Sequence, residues 1–169
     1  MAVGLSTGKV MILFNIVSYN DNDLSSVEDK LTLTAGANFA DGTAADQANT
    51  LWSDTRTLAD GASEEIDIHD GSVNNNFGNP LTLTKLKGLY IRNNSADACL
   101  LIGGGATTPI ELFSDAASDK LKLPPEGENL FIAPNVDGVD VTTNSHIKLA
   151  HDGTGASTLT YDIIVIGVV

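Results

Sequence analysis

The chain has 169 residues, of which 22 are Asp or Glu and nine are Lys or Arg, so its formal net charge is −13 at pH 7. This length suits one domain whose core needs no disulfide, and a hydrophobic content of 42% argues against an acidic disordered chain. So much negative charge excludes direct binding to nucleic-acid phosphates or to an anionic membrane surface. No apolar stretch approaches the roughly 20 residues that cross a bilayer.

The first apolar run covers residues 9–19, KVMILFNIVSY. A signal peptide would carry a stronger basic region and a cleavage site of small residues, so we expect a strand of the mature protein. Residues 35–50 are small, polar and poor in β-branched side chains. They divide an N-terminal extension or arm, residues 1–50 with one or two strands, from a β-rich region at 51–169. A short helix is expected around residues 44–52.

Two kinds of strand pattern fill the chain, with turn residues between them. Alternating polar and apolar residues predict strands with one solvated face at 65–69, 81–84, 120–123, 139–142 and 146–149. Runs that are apolar on both faces predict central strands, or strands whose second face meets another subunit, at 10–14, 100–102, 130–133 and 163–166. We therefore expect an all-β protein, a mostly antiparallel β-sandwich.

The alternation changes parity between residues 81 and 92. Leu81 and Leu83 share a face with Lys85 and Lys87, which would place two lysines in the core. A β-bulge or a strand break near 85–87 would instead turn Leu86 inward, so we predict one of the two there.

Candidate catalytic groups have ordinary structural explanations. Cys99 is the single cysteine and lies in an apolar run, which predicts a buried, inert thiol. Residues 103–105 form a glycine run without the lysine of a phosphate-binding loop, so we read them as a turn. Glu64, Glu65 and Asp67 suggest acid–base chemistry, but Glu65 and Asp67 fall on the solvated face of a predicted strand. We expect no enzymatic activity and no cofactor.

Oxygen-rich loops leave calcium open at two places, near Asp137 and near Asp21. The favoured explanations are a hairpin turn after Pro134 and a solvated loop at 21–29. Two His-Asp-Gly tripeptides, at 69–71 and 151–153, would supply four metal ligands if they met in space. We interpret them as two similar turns and expect no bound metal.

The last 90 residues contain a series of segments in a characteristic order: LKGLYIRN at 86–93, LIGG at 101–104, KLPPEG at 122–127, FIAPN at 131–135 and YDIIVIG at 161–167. This order resembles small β-sandwich proteins of tailed bacteriophage virions, especially capsid decoration (cement) proteins. The resemblance covers about residues 51–169 and rests on strand and turn order. It implies a jelly-roll-like domain on the outer surface of the capsid, commonly a homotrimer, that holds neighbouring major capsid protein subunits together. It carries over no catalytic residue.

The sequence thus predicts a structural virion protein that decorates and stabilises an assembled phage capsid. Two apolar segments could pair within one core or contact another subunit, and the sequence favours neither. The candidate interface residues are Val10, Ile12, Phe14, Ile16, Ile164, Ile166, Val168 and Val169. A tail-fibre or receptor-binding head is the first alternative. A carbohydrate-binding β-sandwich module is the second, although the single Trp52 and the few other aromatic residues offer little surface for stacking on sugars.

Overall fold

The computed structural model describes residues 6–22, 25–104, 108–110, 112, 119–154 and 157–169. All regular secondary structure in these residues is β, so the predicted all-β class is confirmed and the short helix expected at 44–52 is wrong. Correspondingly, this part of the chain contains no helix with the length and apolarity to span a membrane. Its strands are β1 Thr7–Asn22, β2 Ser25–Asp41, β3 Gln47–Ala48, β4 Thr50–Leu58, β5 Ser63–Asp67, β6 Lys85–Asn93, β7 Leu100–Ile102, β8 Leu121–Leu123, β9 Glu128–Ile132, β10 Val139–Asp140, β11 His146–His151 and β12 Leu159–Val168.

Two antiparallel sheets form the body. The first, called the β12 sheet, has the order β10-β6-β12-β4, with β9 also paired to β6. The second, called the β11 sheet, has the order β5-β11-β7-β8. One continuous core lies between them, in which Ile163 and Val165 of β12 belong to the same buried cluster as Ile66 and Leu149 of the β11 sheet. The predicted antiparallel β-sandwich is therefore confirmed, and its jelly-roll-like arrangement stays a prediction.

Burial along β12 alternates residue by residue, as the period of a strand requires. Tyr161, Ile163 and Val165 are fully buried in the core, whereas Ile164 and Ile166 point to the opposite, outer face of the sheet and are only half-buried. The β12 sheet therefore presents apolar side chains on both faces.

Of the bulge and the strand break predicted near 85–87, the bulge is confirmed, and it lies on β6. Ile166 of β12 pairs with Gly88, and the next residue, Gly167, pairs with Leu86, so Lys87 is the extra residue of the bulge. Leu86 turns into the core, and the fully buried Lys87 donates hydrogen bonds to the carbonyl oxygens of Asn135 and Val136. Burial lowers the pKa of this lysine.

The loop that follows β9 is not the hairpin turn that we expected. Both β9 and β10 run antiparallel to β6, and they pair with successive stretches of it. The two strands therefore point the same way, and the loop between them steps along one edge. Within this loop the Asn135 side chain accepts a hydrogen bond from the Gly138 amide at 3.0 Å, and Gly138 adopts a positive φ of 56°.

A third sheet, of order β1-β2-β3, stands apart from the two body sheets. Here β1 and β2 pair antiparallel along their whole length, and we call this two-stranded ribbon the arm. Met11 and Leu13 are more than half exposed and Phe14 is 46% exposed. Of the two alternatives for residues 10–14, the central strand of one core is therefore wrong, and a contact with another subunit stays a prediction.

The central strands predicted at 100–102 and 163–166 are confirmed, because β7 and β12 each lie between two neighbouring strands. The central strand predicted at 130–133 is wrong, because among the described residues β9 pairs with β6 alone.

Candidate docking groove and arm

One face of the arm is apolar along most of its length. Two residues directly opposite each other in an antiparallel ladder lie on the same face of the ribbon, and every second pair along the ladder lies on that face. On this face every pair between positions 10 and 16 of β1 joins two apolar residues. These pairs are Val10 with Ala37, Ile12 with Ala35, Phe14 with Leu33, and Ile16 with Leu31. We call this stripe the apolar face of the arm.

The root of the arm is anchored to the body. Phe39 is only 2% exposed and forms a small separate core with Ala37 and Ala48. Val10 of the arm and Ile166 of the body pack against this cluster. Because the side chains of Phe39 and Val10 belong to the apolar face, the lower part of that face is already covered by the body.

Backbone hydrogen bonds fix the same junction. The amide of Ala40 donates to the Asp46 carbonyl at 2.9 Å, and the amide of Asp46 donates to the Pro134 carbonyl at 2.7 Å. The parallel pairing of β2 with β3 adds a further tie to the turn that enters the body. These bonds hold the root of the arm close to the loop after β9.

Beyond the root, the apolar face is open to solvent. Phe14 is 46% exposed, and Ile16, Leu31 and Leu33 are each slightly more than half exposed. Single exposed apolar residues are ordinary, but a contiguous stripe on one ribbon marks a contact surface. On the opposite face Met11 and Leu13 are neighbours, but Asn15 separates them from Val17. The residues across the ladder from Leu13, Asn15 and Val17 are Thr34, Thr32 and Lys30.

A groove of about 880 Å³ separates the arm from the outer face of the β12 sheet. Ile12 and Phe14 line its arm side. Leu130, Ile164 and Ile166 line its body side. The volume lies within the range of protein sites that hold ligands, roughly 300–1,000 Å³, and the side chains that face it are mostly apolar.

The predicted interface residues fall into two groups. Five of the eight line this groove, and Ile16 lies farther out on the same face of the arm. The other two are at the end of β12: Val168 is buried, while the half-exposed Val169 donates its amide to the Asn49 side chain at 3.0 Å. The groove thus brings two segments together whose lining residues are at least 150 positions apart in the chain, from Phe14 to Ile164. Their contact with another subunit stays a prediction. The five lining residues are Val10, Ile12, Phe14, Ile164 and Ile166.

The acidic residues of the arm lie toward its two ends, with Asp21, Glu28 and Asp29 in its distal part and Asp41 at its root. Residues 6–18 and 30–40 contain Lys9 and Lys30 but no carboxylate, although the chain as a whole carries −13. Lys30 forms an exposed ion pair with Glu28 at 3.0 Å. The stretch of arm around the groove therefore has little charge to desolvate.

The two His-Asp-Gly tripeptides are similar turns, as predicted, and they do not meet. In each, the aspartate accepts a hydrogen bond from the amide two residues later, at 2.8 Å for Asp70 and 3.1 Å for Asp152. The intervening glycine has a positive φ in both turns. The ladder between β5 and β11 runs from the pair Asp67–His146 at one end to the pair Ser63–Ala150 at the other. His69 lies beyond the first end and His151 at the second, so the two turns are a ladder's length apart.

The structure bears on the two oxygen-rich loops only within the residues that it describes. No three His, Cys, Asp or Glu side chains converge there. In the loop after β9, Lys85 and Lys87 occupy the carbonyl oxygen of Val136, so ammonium groups stand where a metal would bind. Asp23 and the side chain of Asp21, on which the other calcium candidate depends, lie outside the described residues.

A polar network that sequence reasoning missed joins the two body sheets. The hydroxyl of the buried Tyr161 on β12 donates to Glu64 on β5 at 2.7 Å. Arg56 of β4 donates to the other oxygen of Glu64, also at 2.7 Å, and to Asp54 at 2.9 Å. Burial, and secondarily Glu64, raises the pKa of Tyr161. The hydrogen bonds to Glu64 and Asp54 raise the pKa of Arg56. Glu64 is thus a structural link between the sheets.

The remaining two carboxylates of that strand are also paired. Glu65 lies 3.6 Å from the Lys148 ammonium, and Asp67 lies 3.5 Å from the His146 ring. Asp67 also accepts the amide of His69 at 2.8 Å. The expectation that Asp67 stays solvated is wrong, because this side chain is mostly buried.

Cys99 is not the buried core residue that we expected. Its side chain is partly exposed, and it precedes β7. The amide of Cys99 donates to the Asp152 carboxylate at 3.3 Å, and the same carboxylate pairs with Lys122 at 3.0 Å.

Comparison with known proteins adds no relative. No protein-family model matches the chain, and no curated protein matches it significantly.

Proposed function

We propose that this chain is a non-enzymatic structural protein of a phage virion, which decorates the outer surface of the assembled capsid and stabilises it by bridging major capsid protein subunits. The single observation that carries the proposal is the arm: a two-stranded ribbon, anchored at Phe39, whose apolar face is left open beyond its root. A surface of this kind supports assembly with other chains better than binding of a soluble substrate. The segment order of residues 86–167 supports the same class, with a jelly-roll-like sandwich.

The mechanism is thermodynamic. A protein that binds only the assembled shell stabilises that state by mass action, by an amount that grows with its free concentration relative to its dissociation constant. The required area is available only where two or more capsid subunits meet, so dissociated subunits bind weakly. A net charge of −13 keeps such a protein soluble at the high copy number that decoration needs.

A carbohydrate-binding module is less well supported by the geometry. The single tryptophan, Trp52, is 4% exposed and belongs to the core, so it offers no ring face to a sugar. The exposed Phe77 stands on the loop between β5 and β6, far along the chain from the groove residues of the arm.

The test is cosedimentation of the purified protein with capsids that lack it. We expect saturable binding with a fixed number of copies per capsid, and a higher temperature of capsid disruption once it is bound. The proposal fails if the folded protein stays in the supernatant at every concentration. Binding to host cells or to a glycan array, without binding to capsids, would favour the receptor-binding or carbohydrate-binding alternative.

A further inference from the structure

Beyond its root, the arm stands away from the outer face of the β12 sheet. At the root, Val10 and Phe39 of the apolar face reach the body and join a cluster with Ile166. Farther out, the groove keeps Ile12 and Phe14 apart from the outer face of the β12 sheet. The apolar face therefore continues beyond its contact with its own body, without a covering surface from the described residues.

The outer face of the β12 sheet has the same incomplete cover. Ile164 and Ile166 of β12, Tyr90 of β6 and Leu130 of β9 lie on it and are only half-buried. Register places Ile164 directly opposite Tyr90, which in turn is opposite Leu130, so these side chains form a continuous patch. Two apolar surfaces of one molecule thus face a shared space that neither fills.

We propose that the groove is filled by the arm of a second copy of this chain, whose apolar face packs on the outer face of the β12 sheet. The exchange deepens the proposed function, because it defines how copies associate, but it needs no capsid. The contact would place Phe14, Ile16 and Leu33 of one copy against Ile164 and Leu130 of the next.

Two observations favour a second copy over any other occupant. The first is continuity: the root of the apolar face already packs on Ile166 within one chain, so its distal part extends a contact whose chemistry is established. The second is the absence of charge from the stripe. Residues 10–16 and 31–37, which form it, contain no charged side chain. Packing of the stripe on a second, strongly acidic copy therefore buries no carboxylate of the stripe.

The first experiment measures the mass of the purified protein in solution by sedimentation equilibrium, with no capsid present. The wild type should have a mass of at least two chains, each of 17.6 kDa. Phe14→Asp puts a charge on the apolar face and should weaken association at least about tenfold, the effect of 1.4 kcal/mol. Leu13→Asp is the matched control, because Leu13 is the adjacent residue, is 58% exposed and lies on the other face of the same strand.

The second experiment separates exchange between copies from packing within one copy. Phe14→Asp retains an intact body surface, whereas Ile164→Asp retains an intact arm, so we expect each variant alone to be monomeric. Mixing them should restore association, since the intact arm of one variant then meets the intact outer face of the β12 sheet of the other. Leu130→Ser, on the same patch, replaces Ile164→Asp if that variant does not fold, as judged by circular dichroism.

A wild type that stays at 17.6 kDa at all concentrations would overturn the proposal. So would equal loss of association in Leu13→Asp and Phe14→Asp, or a mixture that stays monomeric. These results are independent of the capsid assay. An oligomer that binds no capsid contradicts only the proposed function, and a monomer that binds capsids contradicts only the exchange of arms.

Discussion

Phe14 and Leu33 lie directly opposite each other on the apolar face of the arm, and about half of each side chain is exposed. They belong to a ribbon of two strands whose distal part has no third strand in the described residues. An isolated two-stranded hairpin is marginally stable in water, because it buries too little apolar surface. The pair therefore gains most of its burial when another surface covers it.

Hydrogen exchange should reveal this dependence on a partner. In the isolated chain, amides at 12–18 and 29–35 should exchange quickly, whereas those of the core strands β6 and β12 should be strongly protected. Assembly, with other copies or on a capsid, should slow exchange in the arm. Mass spectrometry of peptides from both regions measures this. Equal protection of arm and core in a monomer would contradict it.

Gly36 permits the two strands of the arm to approach near its root. A Cβ at this position would overlap the carbonyl oxygen of Val10 on the facing strand. Because the obstacle is backbone, Gly36→Ala should force β1 and β2 apart, expose the root to limited proteolysis and weaken association. Gly88→Ala is the control for proteolysis, since a Cβ there makes an ordinary contact of 3.6 Å with Ile166. Equal cleavage of the two variants would contradict the prediction.

Removal of one oxygen from Tyr161 should destabilise the sandwich. Tyr161→Phe deletes the hydrogen bond to Glu64 and should lower the free energy of unfolding by about 2 kcal/mol, a typical value for a buried bond to a charged group. Tyr90→Phe removes the same atom from a half-buried side chain beside the exposed Glu128, so its cost should be smaller. Urea denaturation measures the free energy of unfolding of both variants. Equal losses would contradict the prediction that the bond between Tyr161 and Glu64 stabilises the sandwich.

Acid should weaken the fold through Asp152. Hydrogen bonds from Thr154, and secondarily from Lys122, hold the pKa of this carboxylate well below its ordinary value of 3.8. The ionised form therefore stabilises the folded state above pH 3.8, and this stabilisation is lost as the pH falls toward the folded-state pKa. Asp152→Asn should flatten the dependence of unfolding free energy on pH in that range.

The lysine partner provides a matched pair of variants for the same measurement. Lys122→Met removes the ammonium that lies 3.0 Å from Asp152 and should also weaken the acid dependence. Lys120→Met, two residues earlier and exposed, should leave it intact. If both lysine variants show the same profile as the wild type, the ion pair does not contribute.

Local periodicity predicted much of the body of the fold. The strand predicted at 81–84 is wrong, although its Leu81 and Leu83 are buried, and β4 was not predicted. The alternation at 65–69 and 146–149 predicted β5 and β11, and the parity change at 81–92 predicted a bulge or a strand break where the bulge at Lys87 lies, because both signals arise from the two-residue period of a strand. The arm shows the limit of the same rule. An apolar run on both faces indicates that its side chains need cover, but it does not say whether that cover comes from the same chain.

The contacts that could not be predicted from the sequence join residues that are distant in the chain. Phe39 lies in the segment 35–50, whose small and polar residues do not predict a buried cluster. Its partners in that cluster, Ala37 and Ala48, have side chains too small to indicate one. Tyr161 and Glu64 are 97 positions apart, and nothing in the local pattern of either predicts their hydrogen bond. Both contacts depend on how the sheets pack, which no single-strand period specifies.

A reconstruction of capsids to which the purified protein has been added would show where the protein binds. We expect the density of the sandwich on the outer capsid surface, over the junctions between major capsid protein subunits, with each arm laid across the β12 sheet of a neighbouring copy. A capsid surface without this density, at concentrations where the protein is folded and in excess, would contradict the proposed function.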